Sequence, residues 1–397
     1  MHPASRYLLA ACAAALVQSA AAQAASHHGT LPHNRITILP SLGGTSSRAN
    51  SIDDLGIVGG YSKLAGNAVR HASAWAFGQQ RDLGSLGGPA WNSSIAWPVK
   101  NNLGLLSGIS ETGDVNPYGE TWSCGFFFAT SGNVCYGFVA SLWGGPMVPL
   151  LPLPGGYNSY ATGTNDWGRT VGWAENGVHD ATCAADSDQV LQFKPVVWQY
   201  GSSRPTELPL VAGDTSGAAT AINDHGAIVG ISGTCDQAVG RRTATHAVLW
   251  ENGRVSDLGT LGGTAWNTPQ ALNEAGDVVG FAGTDPADID GNFTHAFLKR
   301  RHHPMEDLGV LPGDVSSTAT GINGAGQVVG YSSDAQTNAR AVLWQDGVML
   351  PLSELAPEFT GTLALATDID DFGRIVGRGT DPATGATVAF VATPDRN

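Results

Sequence analysis

The chain has 397 residues, a net charge of −14 at neutral pH and only 14% charged residues. That acidity excludes a partner bound as a polyanion, nucleic acid or an anionic membrane surface. A hydrophobic content of 42% argues against disorder despite 53 glycines, because those glycines recur at fixed places.

At the N-terminus, Arg6 precedes an Ala/Leu-rich run from Tyr7 to Val17 and then Ala22-Gln23-Ala24, the small-residue pattern of a cleavage site. Residues 1–25 are therefore expected to be a secretory signal. The rival reading of Leu9-Ala10-Ala11-Cys12 as a lipoprotein box leaves too short an apolar stretch before the cysteine. No later stretch is long and apolar enough to cross a bilayer, so no membrane span is expected. The product is expected to be secreted or periplasmic, a monomer with a single domain over residues 26–397.

Beyond the signal, short Val/Ile/Leu/Trp runs alternate with Gly, Asn, Asp and Pro clusters, and no helical spacing of apolar residues is sustained. The class read from this is all-β. One string recurs: Ala221-Ile222-Asn223-Asp224-His225-Gly226-Ala227-Ile228-Val229-Gly230 in one copy, and Gly321-Ile322-Asn323-Gly324-Ala325-Gly326-Gln327-Val328-Val329-Gly330 in another. Anchoring on the last glycine gives Gly59, Gly108, Gly172, Gly230, Gly280, Gly330 and Gly377, roughly 50 to 65 residues apart, hence seven units. The cleanest unit shows four strand-like runs, at 319–323, 327–332, 340–344 and 348–352, with Asn323-Gly324-Ala325-Gly326 as a tight hairpin turn.

Four-stranded repeats of this length predict a seven-bladed β-propeller of antiparallel blades. An open solenoid is the competitor, but the unit is too long for one solenoid coil. The ends of the chain also fit a ring. The last unit supplies three strands, ending at Thr387 to Val391, and the isolated strand Ile36-Thr37-Ile38-Leu39 is expected to complete that blade.

The strings Asp257-Leu258-Gly259-Thr260-Leu261-Gly262-Gly263, Ala271 to Gly280 and His295-Ala296-Phe297-Leu298 resemble the consensus of the extracellular HAF-repeat family. The resemblance covers most of the chain beyond the signal, weakening at Ile95 to Gly108 and at Leu355 to Gly377. It implies a secreted propeller-like protein and no particular reaction. The triplet is incomplete at Ala72-Ser73-Ala74-Trp75 and Ala341-Val342-Leu343-Trp344, so its histidines read as strand-start residues rather than ligands.

In an up-and-down blade, the loops between strands two and three and the loops between blades emerge at one end. On that end Trp91-Asn92, Tyr157-Asn158 and Trp266-Asn267 each set an aromatic beside an amide, the pairing that stacks on a sugar ring and binds its hydroxyls. The expected ligand is a glycan or a protein, bound without catalysis, and the bland alternative is that Trp91 and Trp266 are wedges between blades. The second reading is an extracellular lyase or hydrolase using carboxylates or histidines of the same end.

The longest loops, about Glu111 to Tyr136 and Ala174 to Phe193, lie there too. Four cysteines remain beyond Cys12, and an exported protein favours disulfides. Three pairings are open; the loop positions favour Cys124 with Cys135 inside one loop and allow Cys183 with Cys235 between units. Asp285, Asp288 and Asp290 hint at calcium but lack the EF-hand's final Glu, so no cofactor is expected. Asp214 and Asp314 occupy matching inter-unit loops that open toward the channel mouth, while His179 and Asp180, being consecutive, are expected to point apart. The basic cluster Lys299-Arg300-Arg301-His302-His303 reads as a solvated turn.

Overall fold

The computed structural model describes residues 33–96, 100–120, 124, 132–235 and 243–395. The expected signal, residues 1–25, lies outside them. Strand β1 (Asn34–Ile38) precedes a series of antiparallel sheets. The first contains β2 (Gly43–Ile52), β3 (Val58–Leu64), β4 (Arg70–Ala76) and β5 (Gln79–Gly84). The second contains β6 (Ser93–Ile95), β7 (Leu105–Val115), β8 (Asn133–Ser141) and β9 (Val148–Leu150), and the third β10 (Gly155–Thr164), β11 (Arg169–His179), β12 (Leu191–Gln199) and β13 (Thr206–Glu207). The fourth contains β14 (Ser216–Ile222), β15 (Ile228–Gly233), β16 (His246–Glu251) and β17 (Arg254–Asp257). The fifth contains β18 (Thr268–Leu272), β19 (Val278–Gly283), β20 (Thr294–Lys299) and β21 (Met305–Asp307). The sixth contains β22 (Ser316–Ile322), β23 (Val328–Ser333), β24 (Ala339–Gln345) and β25 (Val348–Pro351), with the short helix α1 (Leu352–Leu355) after it. The last is built from β26 (Leu363–Ile369), β27 (Ile375–Thr380) and β28 (Thr387–Pro394). Among the described residues no helix is long and apolar enough to cross a membrane.

Strand β1 lies antiparallel on β28, with Ile36 opposite Ala392 and Ile38 opposite Phe390. It thus takes the fourth place in the last sheet. A single parallel bridge, Ser46 with Thr387, joins that sheet to the first, so the two run on as one eight-stranded sheet.

The recurrent glycine has a steric cause. In six of the sheets the innermost strand carries a β-bulge, at Asn50, Thr162, Thr220, Gln270, Thr320 and Thr367. The bulge tips a backbone carbonyl onto the second strand, where a side chain would otherwise begin. A Cβ on Gly330 would stand 1.9 Å from Thr318 O, one on Gly230 2.0 Å from Ala218 O, and one on Gly377 1.9 Å from Leu365 O. Only glycine fits there. In the first sheet the residue under the carbonyl is Gly60, 2.0 Å from Arg48 O, and not Gly59, so the sequence anchor is shifted by one position in that unit.

The asparagine that opens the first hairpin turn has two tasks. Its side-chain oxygen accepts from the backbone amide four residues on, as Asn223 does from Ala227 and Asn323 from Gln327. Its amide group donates to the next sheet: Asn101 to Thr164 O, Asn165 to Asn223 O, Asn223 to Asn273 O, Asn273 to Asn323 O and Asn323 to Asp370 O. Only a group that both accepts and donates can do this, which explains Asn rather than Asp. At Asp370 the donor is missing, and Arg374, bonded to that carboxylate, carries the link onward to Asp54 O in the first sheet. The bulge residues add an inner set of links, Thr162 to Ala219 O, Thr320 to Ala366 O, Thr367 to Ala49 O and Asn50 to Ile95 O.

Between sheets the packing is apolar. Ala49, Ile52, Val58 and Trp75 of the first sheet pack with Val376 and Ala389 of the last. Each of the buried tryptophans Trp75, Trp198, Trp250 and Trp344, at or near the end of a third strand, donates its indole N–H to the loop entering its own sheet. At the other end of the third strand, His71, His246 and His295 bond Asp82, Asp257 and Asp307 at the end of the fourth. These histidines are strand-start residues, clasped to the Asp of the Asp-Leu-Gly string.

Gly330→Ala should lower stability by about 1–3 kcal/mol, since a backbone carbonyl must move to admit the methyl group. Thermal denaturation checks this, and an unchanged midpoint would contradict the steric account.

Candidate functional site

The long loops and inter-sheet loops share one end of the molecule, and the disulfides are there: Cys124 with Cys135, and Cys183 with Cys235. The second joins the third sheet's loop to the fourth's. Of the six aromatic and amide residues singled out from the sequence, Trp91-Asn92 and Trp266-Asn267 lie in the loops entering the second and fifth sheets, and Tyr157-Asn158 in β10 of the third. Asn92 donates to Glu111 and accepts from Arg70 N; Asn158 donates to Glu175 and accepts from Cys135 N; Asn267 donates to Thr245 O. Asn158 and Asn267 are buried, so these amides clamp one sheet to the preceding one. Trp91 and Trp266 are half-buried, lying against Gly87 and Gly113 and against Gly291 respectively. Tyr157 meets Tyr118 edge-on at 5.7 Å, and Tyr118 meets His179 edge-on at 5.2 Å.

Beneath that small cluster are two sealed carboxylates. Glu120 accepts from Val190 N and Leu191 N, tethering its loop to the third sheet, while Glu175 accepts from Tyr157 N and from Asn158. Burial, and then the neighbouring Glu120 charge, push Glu175 up to about 7. His179 and Asp180 do point apart: Asp180 accepts from Thr182, Thr215 and Ser216, and although burial opposes it, those bonds hold its carboxyl below the usual range. Asp214 accepts from Ser232, and Asp314 is buried against Arg340. In the acidic loop, Asp285 and Asp288 accept from the loop's own backbone, at Ala287 N and Phe293 N. Among the described residues no three His, Cys, Asp or Glu are placed to hold a metal.

The opposite end carries the first hairpin turns and the turns between strands three and four. Here the second and third sheets enclose a groove of ≈ 480 Å³, lined by Leu103, Trp143, Asp166, Trp167, Gln199 and Tyr200 among others. Trp143 donates its indole N–H to Leu103 O at 2.8 Å and Trp167 to Asp224 O at 3.0 Å, so both rings are held by an edge while their faces meet solvent. Trp167 is 70% exposed. Trp143 lies on Gly104, and Tyr200 on Gly168. Phe77, 73% exposed, extends the surface, its ring 6.2 Å from that of Trp143.

The repeat supplies an internal comparison. The third residue of the first turn is Leu55, Leu103 and Trp167 in the first three sheets, His225, Ala275 and Ala325 in the next three, and Phe372 in the last. The outer hairpin tip holds Phe77 where the fourth and sixth sheets have Asn252 and Asp346, all three with left-handed backbone, φ 53–54°. Asn and Asp tolerate that conformation and phenylalanine does not. Sequence reasoning that looked only for long loops and Trp-Asn pairs passes over this end. The signal was present as a departure from the repeat at turn positions.

No family model matches the chain, and no curated protein matches it. Among solved structures it is similar to an oligogalacturonate lyase from Vibrio parahaemolyticus, at 9% identity over 92% of this chain and 98% of that one, TM-score 0.45. It is also similar to a gluconolactonase from Xanthomonas campestris, at 12% identity over 66% and 79%, TM-score 0.33. A third is an aldose sugar dehydrogenase from Streptomyces coelicolor, at 7% identity over 91% and 99%, TM-score 0.37. Likeness at this level says nothing about activity.

Glu175 ionises near 4.5 when unfolded and near 7 when folded, so the native state holds an extra proton between those values. Its contribution to stability is present below pH 4.5 and lost as pH rises through 7. Glu120→Gln keeps an oxygen for Val190 N and Leu191 N but removes the like charge. Its melting midpoint should exceed the parent's at pH 8, by on the order of 1 kcal/mol of stability, and the gain should shrink toward acid pH. Two parallel pH curves would refute this.

Proposed function

We propose that the protein is an exported, seven-bladed β-propeller, closed by β1, that binds a glycan in the aromatic groove at its turn end. The observation that carries the reading is the pair of exposed indoles, Trp143 and Trp167, each fixed by a backbone hydrogen bond and flanking a groove with Gln199 and Asp166 at its polar edge. Flat apolar faces beside amide and carboxylate groups suit a sugar ring and its hydroxyls. Rings already held in place lose little freedom on binding. The strained Phe77 adds weight, because a backbone cost retained at a surface position implies a use for the side chain.

Closure is supported by β1 on β28, by the shared core of the first and last sheets, and by Arg374 reaching Asp54. Export accords with two disulfides. Kinship with the HAF-repeat proteins accords with the His-to-Asp clasps. A second reading, a lyase or hydrolase at the loop end, has one observation in its favour, the Glu175 carboxyl held near neutrality. Against it, Glu175 is fully buried and its oxygens are already engaged by Tyr157 N and by Asn158, the residue that holds the third sheet to the second.

Titration with a panel of neutral oligosaccharides, followed by tryptophan fluorescence and calorimetry, tests the main reading. Trp143→Ala and Trp167→Ala should each weaken binding at least about tenfold while leaving the melting midpoint nearly unchanged. Phe77→Asn should weaken binding yet raise stability by about 1 kcal/mol, the opposite signs expected of strain kept for function. Turnover of any saccharide that vanished in Glu175→Gln, with no effect of the tryptophans, would favour the second reading instead.

A further inference from the structure

The aromatic groove runs between two rows of turns. On its inner side are the third residues of the first turns, Leu103 and Trp167; on its outer side are Trp143 and Tyr200, from the turns between strands three and four of the same two sheets. The first sheet continues both rows. Leu55 is exposed on the inner side and Phe77 on the outer, with the Phe77 ring 6.2 Å from that of Trp143. Arg81, just after the Phe77 turn, donates to Leu142 O and so holds the outer turns of the first and second sheets side by side. The inner row goes on to the exposed Phe372 of the last sheet, whose turn is tied to that of the first by Asp371 N donating to Asp54 at 2.9 Å.

In the other direction both rows stop. The fourth sheet has His225 inside, bonded to Glu274 at 3.0 Å, and Asn252 outside. The fifth and sixth have Ala275 and Ala325 inside, with Arg301, paired to Glu251, and Asp346 outside. A single sugar needs one or two aromatic faces, which Trp143 and Trp167 supply. Apolar side chains left exposed over four neighbouring sheets exceed that need and form a patch that calls for a cover. Because the two rows run along the circumference with the groove between them, the cover that fits is long and narrow. The groove lining carries the Asp166 carboxylate and, among the described residues, no cation, and Asp54 and Asp371 stand beside Leu55 and Phe372. In a chain of net charge −14 these carboxylates disfavour a polyanion.

Resting on the reading that the groove holds a glycan, we propose that its occupant is the interior of a linear, uncharged polysaccharide laid along the trough from the third sheet to the first, and not a terminal sugar or a short free saccharide. Trp143 and Trp167 take the first rings, Gln199 and Asp166 their hydroxyls, and Phe77, Leu55 and Phe372 the apolar faces of the rings that follow. Each added ring brings contact area without a new loss of translational freedom, so affinity grows with chain length until the trough is filled.

Calorimetry with cellobiose and cellohexaose, mannobiose and mannohexaose, and hexagalacturonate tests the proposal. A neutral hexaose should bind at least about tenfold more tightly than the disaccharide of the same sugar, and hexagalacturonate should bind more weakly than that hexaose. Leu55→Ser and Phe372→Ser, combined in one variant, should lower the ratio of hexaose to disaccharide affinity about tenfold, with a level melting midpoint because both side chains are exposed. Phe372→Ser alone should lower it in the same direction and serves if the double variant misfolds. A disaccharide bound as tightly as its hexaose, in a manner sensitive to Trp143→Ala, would overturn the extended chain and leave the groove standing. Preference for hexagalacturonate, or an affinity ratio indifferent to both variants, would overturn it too. Failure of every saccharide to bind, or binding indifferent to Trp143→Ala, would remove the groove reading and the extended chain with it.

Discussion

Five of the seven sheets are tied to the next by a side chain that hydrogen-bonds in two directions at once. The asparagine of the first hairpin turn closes its own turn with its oxygen and holds the neighbouring sheet with its nitrogen. A four-stranded sheet alone has two faces to bury and no partner for them. Repeating the same donor from sheet to sheet sets how the next sheet is placed, so that runs such as Ala247-Val248-Leu249-Trp250 are covered on both sides. The bulge just before the turn does related work, turning a threonine hydroxyl toward the adjacent innermost strand and thereby imposing glycine on the second strand. Where the pattern breaks, as at Asp370, a different residue restores the link.

A repeat that satisfies its own structural needs makes departures from it informative. Positions that serve packing vary little among the units, whereas exposed turn positions are under no such demand. Bulky apolar side chains at several of those positions, in the first three sheets and the last and including one on a left-handed backbone, are not explained by packing. The physical oddity, an exposed indole, is a cost that stability alone would remove.

The architecture was legible because its causes are local. Glycine under a tipped carbonyl, asparagine at a turn and small residues on buried strands leave a period that can be read directly, and strands in the sixth unit fall within a few residues of their expected places. The anchor in the first unit was misplaced because Gly59 and Gly60 are adjacent and only the bulge register distinguishes them. The candidate site was far less legible. Trp-Asn pairs look alike whether the amide faces solvent or a neighbouring strand, and Asn158 differs from a ligand-binding amide only through Glu175 and Cys135, which are distant in sequence. The pairing of Tyr118 with His179, and of Glu120 with Glu175, likewise arises only when two sheets meet.

Hydrogen exchange resolved by strand is the measurement that bears most directly on the proposed ring. A closed ring leaves no terminal repeat, so β2, β14 and β26 should exchange with similar, near-global protection. An open stack of repeats frays from its ends, and protection falling from β14 toward β2 and β26 would contradict the account.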